Sequence, residues 1–479
     1  MGGTLDALCS LINLSTLLLA YNNVSGIIPN CIQSLANATV LDLDHKAIQG
    51  TTPDELCRLH DLEELHLCGN SLQGTVPVCF GEELTARRIL DYSNYNVDSS
   101  IGKQSLSGTL PESLCNLEHL EVIAMQETRG LRGTIPGCLG IKQPQLVVLA
   151  LQNNHFEGTL PPSICEASSL EYLFPSDNVL KGTGTLPSCV GSLSQLTELD
   201  LDSNLFHGLI PEELCLATKL EVLVMWTNSL TETLPSCLGS LDQLNALVLD
   251  SNQFHGPIPD ELCHASALQY LHLWNNILTG AVPSCLGNLT HLFDLELNNS
   301  KFHGPIPEEL CHASALEHLW LNGNALTGSI PSCLATSVWF LESMRLYNND
   351  FDGALPTERA LPSLISIMLS NIPKLSGSLS VDLFGKQATS NASESSKDSN
   401  VVLRAVVIEG TSIGGSLPAA LCAAPQLVTL AFSGNKFTGE PPACVSSLQS
   451  LQTLRVSNNY LTGTLPEAIN NLTSPSVLD

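Results

Sequence analysis

One phrase, Gly-x-Ile/Leu-Pro, recurs with small variations along almost the whole chain and constrains its fold more than any other feature. Its last position falls at 17 prolines between Pro29 and Pro466, and from Pro187 to Pro331 every step is 24 residues. Between these anchors the sequence follows L-x-x-L-x-L-x-x-N-x-L/F-x-G, as in residues 196–208. One such segment cannot bury its own leucines, so the repetition predicts a solenoid of stacked coils.

Each conserved letter of this pattern has a mechanical role. The L-x-L segment alternates with period two, which predicts a short strand with one buried face and one free face. We expect strands of successive coils to pair in parallel, and the Asn after each strand to bond backbone groups of neighbouring turns that burial would otherwise leave unsatisfied. Gly208, Gly256 and Gly304 are expected at turns that need unusual backbone angles.

The pattern resembles the plant-type leucine-rich repeat, the 24-residue class that forms the ectodomains of plant receptor-like kinases and receptor-like proteins, and the polygalacturonase inhibitors. The resemblance covers roughly residues 5–472. It implies a leucine-rich-repeat solenoid: a curved right-handed superhelix with a parallel β-sheet on its concave face and short 3-10 or α turns on its convex face. We expect one solenoid of about 18–20 repeats over residues 1–479, with insertions near 92–104 and 386–400; the second insertion is polar and Ser-rich, as in surface loops.

The 17 cysteines follow the anchor prolines in two alternating phases. Cys263 lies four residues after its proline and Cys285 two residues after the next one, and this alternation recurs. Adjacent coils stacked like strands are ~4.8 Å apart, within the ~4.4–6.8 Å Cα range of disulfides. The predicted pairs are Cys9–Cys31, Cys57–Cys79, Cys115–Cys138, Cys165–Cys189, Cys215–Cys237, Cys263–Cys285, Cys311–Cys333 and Cys422–Cys444, which leaves Cys68.

The alternative interpretation of these cysteines is a column of reduced thiols, as in cytosolic repeat proteins, but such a column would keep one phase. Disulfides persist in oxidising compartments, so we expect an extracellular or cell-surface protein. No signal peptide is visible in the sequence, since Met1-Gly2-Gly3 lacks a basic region. Glycosylation sequons occur about as often as chance predicts and are only permissive. They are Asn13, Asn23, Asn37, Asn288, Asn298, Asn391 and Asn471.

Charge and motifs exclude several classes of function. The chain has 19 Lys+Arg against 47 Asp+Glu, and its formal charge of −28 disfavours nucleic acid and anionic membranes as partners. No apolar run approaches the ~20 residues of a spanning helix. His207, His255 and His303 recur two coils apart, hence ~9.6 Å, too far to share a zinc ion with ~2 Å bonds. We expect no catalytic residues, no metal and no cofactor, and therefore no enzyme.

What remains is the free face of the strand ladder. Exposed aromatic side chains on a rigid sheet often mark binding surfaces, although variation among copied repeats is the alternative explanation. We expect this concave face to bind an extracellular protein, peptide or glycan, and its acidic character favours a basic peptide or a neutral glycan. The candidate residues are Asp200, Asp202, Trp226, Asp250, His272, Trp274, Glu296, Trp320, Arg345 and Tyr347.

A structural role is the competing hypothesis. The sequence starts and stops inside a repeat: Leu8-Cys9 resembles Leu214-Cys215, and residues 463–469 form an unfinished coil. Solenoid ends without polar caps favour head-to-tail stacking, and a contact of this kind that does not close builds a filament. The alternative function is therefore a structural glycoprotein that self-assembles into an extracellular fibre or wall layer. A longer chain whose caps lie outside this sequence would explain the same ends.

Overall fold

The computed structural model describes residues 5–22, 24–45, 47–84, 86–94, 104–181, 186–356, 363–379, 403–464 and 476–479. It divides into two compact units, Met1–Leu244 and Asn245–Asp479, called here the first and second unit. The insertion expected near 386–400 lies outside the described residues, as do residues 95–103 of the insertion expected near 92–104. Within the described parts of the chain, none of the helices has the length and apolar character needed to span a bilayer.

A single coil of the second unit shows how the repeat letters become structure. The strand Tyr270–His272 carries a buried leucine between two polar side chains on its other face. The chain then turns through Asn275, which has a positive φ of 53°, into a second short strand, Ile277–Leu278. Pro283 has extended φ and ψ and begins the 3-10 helix Ser284–Asn288, which carries the coil back to the next strand.

The first unit repeats this plan with parallel strands in register. Its main strands are Thr16–Leu18, Val40–Asp42, Glu64–His66, Ile89–Asp91, Val122–Ala124, Val148–Ala150, Tyr172–Phe174, Glu198–Asp200 and Val222–Val224. Its second short strands are Ser25–Ile27, Ala47–Thr51, Ser71–Gly74, Ser105–Leu106, Arg132–Thr134, His155–Gly158, Val179–Leu180, His207–Gly208 and Ser229–Leu230. Its helices are Leu5–Ser10, Asn30–Ser34, Asp54–Arg58, Glu112–Asn116, Pro162–Glu166, Ser188–Ser192, Glu212–Leu216 and Ser236–Ser240, all 3-10, and the α-helix Phe80–Glu83.

The second unit has the same architecture. Its main strands are Ala246–Val248, Tyr270–His272, Asp294–Glu296, His318–Trp320, Ser343–Arg345, Ser366–Met368, Ala405–Val407, Thr429–Ala431, Thr453–Arg455 and Val477–Leu478. Its second short strands are His255–Gly256, Ile277–Leu278, His303–Gly304, Ala325–Leu326, Gly414–Ser416, Lys436–Gly439 and Tyr460–Leu461. Its described 3-10 helices are Asp260–His264, Ser284–Asn288, Glu308–His312, Ser332–Ala335, Ala419–Ala423 and Ala443–Ser447. The predicted leucine-rich-repeat solenoid, with parallel strands and short 3-10 and α turns, is confirmed.

Buried asparagines bond one coil to the previous one, as the sequence pattern predicts. Asn276 is representative: its Nδ2 donates to the carbonyl oxygens of Leu249 (3.1 Å) and Leu273 (3.0 Å), and its Oδ1 accepts the N–H of Phe254 (3.0 Å). The arrangement recurs around Asn324 in the next coil but one. These amides satisfy backbone groups that the tight turn would otherwise bury without partners. We call the asparagines at this repeat position, represented by Asn276 and Asn324, the asparagine column.

The eight cysteine pairs that the spacing predicts are disulfides in the structure, from Cys9–Cys31 to Cys422–Cys444. Their Cα–Cα distances run from 5.4 to 5.9 Å, because the sulfur atoms join helical segments of adjacent coils. Cys68 keeps its thiol, buried, with Sγ 3.9 Å from Nε2 of His45.

The sequons differ in their access to solvent. Asn13, Asn37 and Asn288 are exposed. Asn298 is buried, because its side chain follows the last core position of a strand and is enclosed by its neighbours on the strand face, and this burial disfavours glycosylation there. Asn23, Asn391 and Asn471 lie outside the described residues.

Candidate binding surface on the strand face

Three candidate residues lie in the first unit. Trp226 is exposed, and Asp200 is half-buried. Asp202 is buried, so its predicted exposure is wrong. Short side chains at this position sink into the turn, where the backbone N–H of Asp202 donates to the Asp200 carboxylate (3.1 Å). Burial raises the pKa of Asp202 to about 7, and the nearby Asp200 acts in the same direction.

The second unit brings a row of candidate residues together on adjacent strands. Strand register places His272 beside Glu296, Glu296 beside Trp320, and Trp320 beside Arg345. Trp274 and Tyr347 each lie two residues after the row on their own coils and are half-buried. We call the surface formed by His272, Trp274, Glu296, Trp320, Arg345 and Tyr347 the strip.

The Trp320 ring is held in place by two neighbours. Its Nε1 donates to Ser343 Oγ (3.1 Å), and the guanidinium carbon of Arg345 lies 3.6 Å from the ring centroid. This is a close cation–π contact, which fixes the orientation of both side chains. Arg345 Nε is buried and has no hydrogen-bond partner within the described part of the chain. The stack therefore presents a rigid aromatic and cationic surface that has not used all of its donors.

Two acids that the sequence places on the exposed face of the second unit are buried. Asp250 is 3% exposed and Glu296 is 7% exposed, so the predicted exposure of both is wrong. Glu296 lies between the larger side chains of His272 and Trp320 on paired strands only ~4.8 Å away, and these cover it. Burial raises the pKa of Glu296 to about 7; His272 opposes the rise, whereas the carboxylates of Asp294 and Asp250 add to it.

Asp294 and His318 are functional candidates that the sequence reasoning missed. Asp294 is buried, and its Oδ2 lies 3.3 Å from Nε2 of His272 and 3.2 Å from Nδ1 of His318. Burial alone would lower the pKa of His272, but the adjacent carboxylates of Asp294, Glu296 and Asp250 raise it. Both missed residues precede the central leucine of their strands. Period-two alternation puts them on the same face as the residues that follow it, so the signal was present in the sequence.

Comparisons with known proteins agree with the repeat pattern. A family model described as "Leucine rich repeat" matches residues 12–72 and 266–326, and a second leucine-rich-repeat model matches residues 145–167, 195–216 and 450–472. The matched segments are leucine-rich repeats, which agrees with the plant-type repeat pattern of the sequence. A search of curated proteins gives no match.

Several solved structures, among them that of a plant receptor kinase, resemble this chain over nearly its whole length. One is the Arabidopsis receptor kinase HAESA in complex with the peptide hormone IDA and the co-receptor SERK1, which is 28% identical to this chain with a TM-score of 0.80. The match covers 99% of this chain and 79% of the HAESA chain. A PEPR1–AtPEP1 structure is 27% identical with a TM-score of 0.79, covering 100% of this chain and 70% of that one. A Leptospira interrogans leucine-rich-repeat protein shares the fold, with 23% identity and a TM-score of 0.66. That match covers 97% of this chain and 100% of the Leptospira chain.

Proposed function

We propose that this protein is a non-catalytic extracellular recognition protein that binds a peptide, or an extended segment of a partner protein, on the strip of the second unit. The observation that carries the proposal is the strip itself, where half-buried aromatic side chains surround the buried acid Glu296 on adjacent strands. Such rings supply large contact area at low entropic cost, which is why aromatic residues dominate binding hot spots.

Charge defines the class of ligand. Asp250, Asp294 and Glu296 contribute carboxylates to one small region, whereas Arg345 is committed to the Trp320 ring. Together with the formal charge of −28, this favours a peptide that carries a basic side chain over an acidic polymer. The peptide-hormone complex of the similar receptor kinase HAESA supports a peptide as the ligand.

The disulfides support the location. Eight disulfides that link successive coils persist in an oxidising compartment and would be reduced in the cytosol. An extracellular position would place the strip where secreted peptides and proteins are available.

The experiment that tests the proposal is selection from a library of random displayed peptides, followed by affinity measurements on purified variants. We expect Trp274→Ala and Trp320→Ala to weaken the selected peptides about 30-fold, which corresponds to ~2 kcal/mol for an anchoring aromatic. Trp339→Ala is the matched control, because Trp339 is 54% exposed and lies outside the strip.

Two outcomes would contradict the proposal. If the selected peptides bound all three variants as tightly as they bind the wild type, the strip would not be the binding surface. Loss of self-association in the strip variants, measured by sedimentation velocity, without any loss of peptide binding would favour the fibre-forming role instead.

A further inference from the structure

Three side chains with metal-binding chemistry converge on two neighbouring strands of the second unit. The register pairs Tyr270 with Asp294 and His272 with Glu296, so His272 lies opposite Glu296 and diagonal to Asp294. One nitrogen or oxygen atom of each of these three residues lies within 4.8 Å of the corresponding atoms of the other two. The three belong to one rigid pair of strands and need no loop to assemble them.

Each of the two carboxylates of this group keeps at least one oxygen atom without a hydrogen-bond partner among the described residues. Asp294 Oδ1 is buried and accepts no hydrogen bond, and within the described residues no hydrogen bond reaches the Glu296 carboxylate, although that residue is 93% buried. A buried carboxylate without a partner is costly, and a bound cation would remove that cost. Oδ2 of Asp294, in contrast, is already oriented by Nδ1 of His318 at 3.2 Å.

We propose that His272, Asp294 and Glu296 bind one divalent cation of the zinc class. One imidazole nitrogen and two carboxylate oxygens suit Zn²⁺ and its transition-metal neighbours better than Ca²⁺, which prefers oxygen alone. Bonds of about 2.0–2.2 Å require the three donor atoms to draw together by small side-chain rotations. His318 would act in the outer shell, holding the Asp294 carboxylate by its other oxygen.

A similar group in the first unit shows why the second is the stronger site. Donor atoms of Asp44, His66 and Asp91 also lie within 4.8 Å of one another, but all three residues are only half-buried. One oxygen of each carboxylate accepts a backbone hydrogen bond, from Cys68 to Asp44 (2.6 Å) and from Ser93 to Asp91 (2.8 Å), and among the described residues neither acid has a buried oxygen without a partner. The sequence prediction of no metal considered histidines two coils apart, whereas this group joins adjacent coils.

The test is titration of the full chain with ZnCl2 after dialysis against a chelator, followed by calorimetry and by competition with a chromophoric zinc indicator. We expect one site per chain, weakened at least 100-fold in Asp294→Asn and Glu296→Gln and changed less than twofold in the matched control Asp91→Asn. Zinc should also raise the unfolding midpoint of the wild type, since a ligand that binds only the folded chain stabilises it.

Circular dichroism and urea unfolding of each variant separate loss of the site from loss of the fold. Failure of the wild type to bind zinc stoichiometrically would overturn the proposal, and so would undiminished binding in a folded Asp294→Asn or Glu296→Gln variant. No peptide is needed for this experiment, so its result is independent of the proposed recognition function.

Discussion

The asparagine column and the strip of the second unit lie on the same coils, yet they differ in hydrogen bonding. The buried amides of the column have partners, whereas some buried polar atoms at the strip do not. Asn276 makes hydrogen bonds with both ends of its amide, to four backbone groups on two coils. Two residues earlier on the same coil, Trp274 belongs to the strip, where Arg345 Nε is buried and, like Oδ1 of the neighbouring Asp294, has no hydrogen-bond partner among the residues that the structure describes. Satisfied polar groups hold a fold, whereas unsatisfied ones retain interaction energy for a ligand.

The largest expected effect comes from breaking the column. Asn276→Ala would leave the N–H of Phe254 and the carbonyl oxygen of Leu273 without this partner, at about 1–3 kcal/mol for each buried group, whereas the carbonyl oxygen of Leu249 would keep Asn252 as a donor. We expect the free energy of unfolding, measured in urea, to fall by about 3–5 kcal/mol. Asn288→Ala, at an exposed helical position, is the control and should change it by less than ~0.5 kcal/mol. Equal effects of the two variants would remove the distinction between column and surface.

The disulfides belong with the column as part of the repeated framework. Replacing both Cys263 and Cys285 by Ser opens a loop whose ends are 22 residues apart, which lowers the free energy of unfolding by about 3 kcal/mol on the chain-entropy model. Peptide mapping without reductant should recover this pair from the native protein. Free thiols at these positions in native protein would contradict both the pairing and the proposed extracellular location.

A smaller effect should appear at Glu296 as a pH dependence. Because its pKa rises from 4.5 to about 7 in the folded chain, the stabilisation it gives is complete below about pH 4.5 and is lost as the pH rises through 7. We expect the free energy of unfolding of the wild type, measured in urea, to fall between about pH 5 and pH 8. In Glu296→Gln this fall should be smaller by about 1–2 kcal/mol, a figure that already allows for solvent screening of the carboxylate. Glu309→Gln, on an exposed helical segment, should leave the dependence unchanged.

The smallest effect on stability is expected in the strip itself. Trp274 is half-buried, and the coil's core belongs to Leu271 and Leu273. Trp274→Ala should therefore change the free energy of unfolding by less than about 1 kcal/mol while weakening peptide binding. A loss of several kcal/mol in urea would show that this tryptophan is structural and would make the two regions alike.

The difference between the repeated framework and the strip also explains which features could be predicted from the sequence. Repeat positions such as Leu271, Asn276 and Cys263 recur at fixed spacing, so their roles follow from stacking geometry alone. The burial of Glu296 does not recur: it depends on the sizes of His272 and Trp320 on the adjacent coils. Asp294 and His318 share a face with the predicted strip residues, but their contact depends on which residues of two particular coils lie side by side. A consensus repeat pattern does not contain that information.

Hydroxyl-radical footprinting of the protein with and without a selected peptide tests the central claim most directly. Oxidation of aromatic side chains reports their access to solvent, and the chain carries both strip aromatics and exposed aromatics elsewhere. We predict that bound peptide protects Trp274, Trp320 and Tyr347 and leaves Trp339 and Tyr460 unchanged. Protection confined to Trp339 or Tyr460, with the strip oxidised as before, would contradict the assignment of recognition to the strand face of the second unit.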